Sequence, residues 1–328
     1  MIVSVIVACY NMEEKKLNRM MQSIMDQTFQ KLQIILVDDG STDDTLLQLK
    51  KWKEFFATKR LDCMLFSKPN GGSASGINFG LKCFTGKYVC FPDADDALEP
   101  DFVSSLVTYL EDNPTCNIVR CDATIITEFD KSVDPYVSSE DFSEHGFFKS
   151  ILIKRINKVV WPMLVRSDFL RCRIPTLHLY EGGPLGAQEW QILFPLSYKT
   201  EVAHLKVPLY NHYLYSDSHV RSNIGYDETS RLVFNGKIKE DLFATLDTMM
   251  LPYAEKELYR DMGEFYIIRL NMAFAGLSEN RRYGFALLLA YLLNKYMQTV
   301  VNINLLMIKE KFLFHSLSLE KHFLEICI

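Results

Sequence analysis

The chain has 328 residues, enough for one large domain or two smaller ones, and its 48% hydrophobic and 23% charged residues are the balance of a soluble globular protein. Its 36 basic and 41 acidic side chains leave a net charge of −5, which offers no electrostatic footprint for nucleic acid. Eight cysteines without a CxxC pair exclude a zinc ribbon and a small disulfide scaffold, and read as buried reduced thiols of a cytosolic protein.

The opening run, MIVSVIVACYN, is apolar but too short to cross a bilayer. Without a basic flank or a small-residue cleavage site it does not read as a signal peptide. Residues 2–8 are β-branched and apolar, the pattern of a buried strand. Leu17, Met20, Met21, Ile24 and Met25 then recur at helical spacing. Residues 32–37 form a second buried strand, broken by Asp38-Asp39-Gly40-Ser41-Thr42, where Ser41 or Thr42 can cap the next helix. Leu46, Leu47, Leu49, Trp52 and Phe55 carry that helix. A third strand over 61–66 leads to the loop Pro69-Asn70-Gly71-Gly72-Ser73 and to a helix over 74–84 that ends near Gly86. The fourth strand, 87–91, runs into Asp93-Ala94-Asp95-Asp96; a helix over 100–110 and a fifth strand over 117–121 follow.

Strands alternating with helices imply right-handed crossovers and an α/β fold with a doubly wound, mostly parallel sheet. Near residue 125 the alternation fades. Residues 126–222 mix short elements with Pro/Gly loops, and 231–248, 252–277 and 283–308 carry apolar residues at helical spacing. The chain therefore divides into 1–125, 126–225 and a helical C-terminal region, 226–328. The apolar stretch 285–308 is interrupted by Asn294, Lys295, Gln298, Asn302 and Asn304, and falls short of a transmembrane span.

In a doubly wound sheet ligands bind outside the carboxyl ends of the strands. Here those ends carry Ala8-Cys9-Tyr10-Asn11, Asp38-Asp39-Gly40-Ser41, Asn70-Gly71-Gly72 and Asp93-Ala94-Asp95-Asp96. The topology thus gathers an aromatic ring, glycine-rich backbone and five aspartates on one edge. No GxGxxG follows the first strand and no GxxxxGK[ST] occurs, so this is not the usual dinucleotide or P-loop arrangement. Carboxylates can still serve a nucleotide. They accept hydrogen bonds from ribose hydroxyls or a base N–H, or they hold a hard divalent cation that neutralises a diphosphate. Taken singly, each acidic cluster reads as a turn that caps the next helix. Two such clusters at the ends of two strands of one sheet point to a ligand, and Tyr10 is placed to stack on a base.

The ordered set Val3-Ser4-Val5-Ile6-Val7, Tyr10-Asn11, Gln27-Thr28, Asp38-Asp39-Gly40-Ser41-Thr42-Asp43, Asn70-Gly71-Gly72-Ser73, Asn78-Phe79-Gly80, Thr85-Gly86-Lys87-Tyr88 and Asp93-Ala94-Asp95-Asp96 resembles the family 2 glycosyltransferases, densely over about the first 110 residues. That family implies a GT-A fold, a Rossmann-like mostly parallel sheet flanked by helices. It implies an inverting, metal-dependent transfer from a nucleotide-sugar donor, here a UDP-sugar, to a saccharide or lipid-linked acceptor in bacterial surface polysaccharide synthesis.

By position, the resemblance gives the nucleotide to Ala8, Tyr10, Asn11, Asp38, Asp39, Asn70, Gly71, Gly72, Asn78, Asp93, Ala94 and Arg221. It gives Mg²⁺ or Mn²⁺ to Asp93 and Asp95, with His219 (or His212) as a further ligand. Where the family often carries Ala-Arg-Asn, this chain has Gly76-Ile77-Asn78, so one donor contact differs. The general base falls on Glu189 in Gly186-Ala187-Gln188-Glu189-Trp190-Gln191, with Gln188 in the place of a second acid. Trp190 and Trp161 are candidates for the acceptor side or for the core. Two other readings stand beside this one: a nucleotidyltransferase, which prefers a basic glycine-rich first loop absent here, and a non-catalytic nucleotide-sugar-binding relative. The C-terminal helices, with Lys295, Lys309, Lys311 and Lys321, suit a peripheral contact with the inner face of the cell membrane, a homodimer interface or a plain helical core.

Overall fold

The computed structural model of the chain describes residues 2–128, 132–136, 147–148, 159–182, 188–215 and 228–274. His219, Arg221, Gly186, Ala187 and the expected helix over 283–308 lie outside them. The chain divides into two compact units, Met1–Asn271 and Met272–Ile328, and the elements below belong to the first apart from the last residues of the final helix.

The first half alternates as the periodicity predicts: β1 (Val3–Cys9), α1 (Glu14–Met25), β2 (Leu32–Asp38), α2 (Thr45–Thr58), β3 (Asp62–Ser67), α3 (Ser73–Cys83) and β4 (Tyr88–Cys90). Then come the two-residue β5 (Ala97–Leu98), α4 (Phe102–Asp112), β6 (Ile118–Thr127), β7 (Val133–Tyr136), β8 (Met163–Arg166), α5 (Ser167–Arg173) and α6 (Gln188–Ser197). A long strand, β9 (Ala203–Leu214), and two long helices, α7 (Glu228–Thr248) and α8 (Tyr253–Phe274), complete the described elements.

The strands form one mixed sheet in the order β3-β2-β1-β4-β8-β6-β9-β5, with β7 beside β6. Pairing is parallel from β3 through β4 and again between β6 and β9, which carry the long registers. It is antiparallel where β8 joins β4 to β6 and where β5 and β7 attach. Between β6 and β9 the register shifts at Cys121, Asp122 and Ala123, opposite Pro208, which has no N–H to give the ladder.

Side chains alternate across the sheet because successive residues of a strand point to opposite faces. Val3, Val5 and Val7 of β1 with Ile34 and Leu36 of β2 meet Leu17, Met20 and Ile24 of α1, Leu49 and Phe56 of α2, and Leu106 of α4. Ile6, Ile35 and Val37 face the other way, toward Ile77 and Leu81 of α3, Trp190 and Phe194 of α6, and Leu242 and Leu246 of α7. Cys9, Cys90 and Cys121 are buried as expected and free, whereas Cys172 is exposed.

Helix α3 lies flush on β1. A Cβ at Gly76 would stand 2.8 Å from the Ala8 Cβ, and one at Gly80 would strike the Ile6 side chain. Ile6 is buried and β-branched, so it has no easy rotamer to retreat into. Gly80→Ala is therefore expected to destabilise by about 1–3 kcal/mol through overpacking. The check is the urea midpoint at unchanged slope, and a variant as stable as the parent would mean that the helix can lift from the strand.

Candidate active site

Parallel order brings the carboxyl ends of β1, β2 and β4 to one edge of the sheet. At the end of β1, Asn11 has φ 46°, a left-handed conformation that Asn tolerates better than most residues. Its N–H donates to Ser41 Oγ at 3.0 Å, and its side-chain oxygen accepts from the Thr42 N–H at 2.8 Å. The loops after β1 and β2 are thereby laced together. Asp38 spends its carboxylate on the same task, accepting from the Ser41 N–H at 3.1 Å and from the Ser67 hydroxyl at 2.8 Å. One oxygen serves the loop after β2 and the other the end of β3, so Asp38 helps to shape this edge.

Asp39 is buried and accepts from the Gly72 N–H at 2.8 Å and the Gly71 N–H at 3.2 Å, while Lys68 pairs with it. This draws the Asn70-Gly71-Gly72 loop against the end of β2. Gly40 and Gly72 have φ of 73° and 89°, and a Cβ at Gly40 would meet the Asn70 nitrogen at 2.5 Å. Only glycine lets the two loops approach so closely. Ala8 lies beneath, under Gly76.

Asn78 is the clearest departure. It is buried, and its amide donates to the Leu179 carbonyl at 2.8 Å and to Glu181 at 2.9 Å, while its oxygen accepts from the Leu179 N–H at 2.6 Å. Its side chain thus fixes the segment at Leu179–Glu181, ahead of α6. Ser75 donates to Glu181 at 2.8 Å, and Ser73 donates to Gln188. Burial alone would raise the Glu181 carboxyl, but the hydrogen bonds from Asn78 and Ser75 hold it below its usual range. Ile77, where the family often has Arg, is buried in the core.

The Asp93–Asp96 turn follows β4. Asp96 is fully buried: its carboxylate accepts from the Tyr210 hydroxyl at 2.9 Å and the Tyr213 N–H at 2.9 Å, and it bonds His212 Nδ1 at 3.1 Å. Tyr210 also receives the Asp93 N–H at 3.1 Å. Burial works to lower the His212 imidazole, but the hydrogen bond and charge of Asp96, with the charge of Asp95, raise it. Asp93 is pushed well above the carboxylate range by burial and then by Asp96, Asp95 and Glu189. Asp95 is pushed up to about 6 by burial and Asp96, against the pull of its own backbone, His212 and Lys16.

Glu189, in the first turn of α6, is the last of the charges that raise Asp93, after burial, Asp96 and Asp95. Trp190 is core, its ring 5.1 Å from Phe194. Trp161 is core as well, stacked 4.4 Å from Tyr210 and 5.1 Å from His212.

Among the described residues no group of three or more His, Cys, Asp or Glu is arranged to enclose a metal ion by itself. Asp93 and Asp95 nevertheless fit a divalent cation. They offer hard oxygen donors, and burial and then neighbouring acids make ionisation of both costly, a cost that a bound cation would offset. One or two carboxylates completed by phosphate oxygens are the usual protein share of a Mg²⁺-type site.

The sequence readings missed the residues that brace these groups: Lys68, Glu181, Tyr210 and Tyr213. A signal for the last two was present in Leu209-Tyr210-Asn211-His212-Tyr213-Leu214-Tyr215, whose alternation is that of a strand with two working faces.

An α/β sheet with loops of this kind along one edge is the GT-A fold. It is shared with TarS of S. aureus, solved as residues 1–349 in complex with UDP-GlcNAc (TM-score 0.61, 18% identity, 83% of this chain and 74% of that one). The mannosyltransferase PcManGT from Pyrobaculum calidifontis, solved with GDP-Man and Mn²⁺, is similar at a TM-score of 0.51, 16% identity, and 88% and 78% coverage. Residues 4–162, just under half of the chain, match the family model described as Glycosyl transferase family 2. An uncharacterized glycosyltransferase of Haemophilus influenzae is 39% identical over 127 residues, which are 39% of this chain and only 38% of that relative's length.

Proposed function

We propose that the chain is an inverting, metal-dependent glycosyltransferase. It would move a sugar from a nucleotide diphosphate donor, with UDP-sugar as the expected class, to a saccharide or lipid-linked acceptor in bacterial surface polysaccharide synthesis. The observation that carries this is the Asp93–Asp96 turn at the edge that also holds Tyr10 and the Asp39-braced glycine loop, with Glu189 of α6 among the charges that raise Asp93. The likeness to proteins solved with UDP-GlcNAc and with GDP-Man and Mn²⁺ supports the donor class. Residues 1–125 would hold the donor, 126–225 would complete the acceptor side and supply the base, and 226–328 would form a helical C-terminal region.

In this reading the base stacks on Tyr10, and the Gly71-Gly72 backbone, held by Asp39, borders the nucleoside. Asp93 and Asp95 would hold Mg²⁺ or Mn²⁺, which supplies charge neutralisation at the departing diphosphate. Glu189 takes the proton of the acceptor hydroxyl. The acceptor oxygen forms its bond to the anomeric carbon as the bond to phosphate breaks, so the configuration inverts. Arg221 is proposed as a further contact of the diphosphate and His219 as a further metal ligand. No helix among the described residues is long and apolar enough to cross a membrane. A lipid-linked acceptor would be met by peripheral contact at the inner face of the membrane.

A screen of UDP- and GDP-sugars with Mn²⁺, read as nucleotide release with and without acceptor saccharides, tests the proposal. Tight nucleotide–Mn²⁺ binding with no release from any donor would instead favour a binding protein that has lost catalysis.

A further inference from the structure

Arg19 stands on α1, away from the strand ends that carry the candidate ligand groups, yet its side chain reaches the acidic turn. One terminal nitrogen donates to the Asp95 carbonyl oxygen at 2.9 Å and also bonds the Tyr215 hydroxyl. The other pairs with Glu128 at 2.9 Å. The guanidinium lies 3.3 Å over the centre of the Tyr213 ring and is only 18% exposed. The Tyr215 hydroxyl donates to the same Asp95 carbonyl at 3.0 Å, and the Lys16 ammonium sits 3.8 Å over the Tyr215 ring.

Three carboxylates in four residues repel one another, and a turn that carries them needs bracing. Asp96 is braced through its own carboxylate, by Tyr210, His212 and Tyr213. A carboxylate meant for a ligand cannot be tied down in that way. Holding the Asp95 peptide by its carbonyl fixes the turn and leaves the carboxylate oxygens out of the brace. The flat fork of an arginine suits this, because its two ends serve Glu128 and Asp95 at once while its face rests on an aromatic ring.

We propose that Arg19, held between Tyr213, Tyr215 and Glu128, is a positioning residue that fixes the Asp95 backbone so that the Asp95 carboxylate meets the cation of a bound nucleotide diphosphate. The proposal rests on the glycosyltransferase reading above.

The test is calorimetric titration of UDP, and of GDP in parallel, with Mn²⁺ and with EDTA, alongside thermal melting. Arg19→Lys, Arg19→Met, Tyr215→Phe and Lys15→Met are compared with the parent. Partners that orient metal ligands are worth about 10–100-fold in metal affinity. Arg19→Lys is expected to melt with the parent, to keep its metal-free nucleotide affinity, and to lose about 10–100-fold of the Mn²⁺-dependent affinity. Tyr215→Phe should lose less, in the same sense. Lys15→Met should change nothing, because Lys15 meets Glu128 from the solvent side at 3.2 Å.

An unchanged Mn²⁺ increment in both Arg19→Lys and Tyr215→Phe overturns the proposal. So does an equal loss of metal-free and metal-dependent binding with a lowered Tm, which is the mark of a merely structural residue. Should Arg19→Met fail to fold, the other two variants decide. If the parent itself binds neither nucleotide more tightly with Mn²⁺, the glycosyltransferase reading fails first, and that outcome is visible without any variant.

Discussion

Glu189→Gln is expected to lower kcat for sugar transfer by about 10²–10⁴-fold, the usual contribution of a positioned general base, while nucleotide binding persists. Gln keeps the size and hydrogen-bonding reach of the side chain but cannot take a proton. The charge change should also be felt across the site. Glu189 is one of the groups that push Asp93 above the carboxylate range, after burial, Asp96 and Asp95. Removing its charge makes ionised Asp93 less costly, so UDP–Mn²⁺ affinity is expected to hold or to rise slightly. Loss of transfer with intact binding separates a base from a residue that merely shapes the pocket. Full transfer activity in Glu189→Gln would sink the assignment, and Glu181 would be the next acid to examine.

The second large effect belongs to Asp95. Asp95→Asn is expected to abolish the Mn²⁺-dependent part of nucleotide binding, because an amide oxygen is a poor substitute for a carboxylate toward a hard dication. The same substitution should stabilise the metal-free protein. The Asp95 pKa is raised from 3.8 to about 6 in the folded chain. Its folded state therefore prefers the neutral form, a preference fully satisfied below about pH 4 and lost as pH rises through about 6. Asn is neutral throughout, so in EDTA the variant should melt with the parent near pH 4. It should melt above the parent from about pH 6 upward, with the gap opening between. A gap that widens toward acid would show that Asp95 is held ionised by its neighbours and is not poised for a cation. Charge kept in place for a ligand at a cost in stability is a common arrangement at functional sites.

Much of this was legible in the residues, for a definite reason. In the first half, burial on both faces of parallel strands writes itself as unbroken apolar runs: β1, β2, β3 and α3 fall within a residue of where the pattern puts them, and α1 and α2 contain the residues at helical spacing. The acids at the ends of β2 and β4 were visible because two such clusters end two strands of one sheet, which helix capping alone does not require. What could not be read was the division of labour among them. Asp38 and Asp39 are neighbours of the same type, yet one laces its own loop and the other draws in the glycine loop. Asn78 looks like a site residue in sequence and serves as a brace, which the sequence hides because its partners, Leu179 and Glu181, lie 101 and 103 positions away. The strand β9 escaped notice because Lys206, Val207 and Pro208 interrupt its alternation at the bulge. Its Tyr210 and Tyr213, and with them the support of Asp96, were hidden for the same reason.

The order β4-β8-β6 has a further consequence, for modularity. Four residues from beyond position 160, Met163–Arg166, form the strand that joins β4 to β6. A fragment cut near residue 125 would leave β4, the strand that ends in the Asp93–Asp96 turn, with a bare edge toward solvent. The residues up to about 125 are therefore not a cassette that can be lifted out by themselves. An exchange of halves between relatives has to carry β8 and the braces on β9 along with the loops proposed to hold the nucleotide, or it transplants those loops without the frame that supports them.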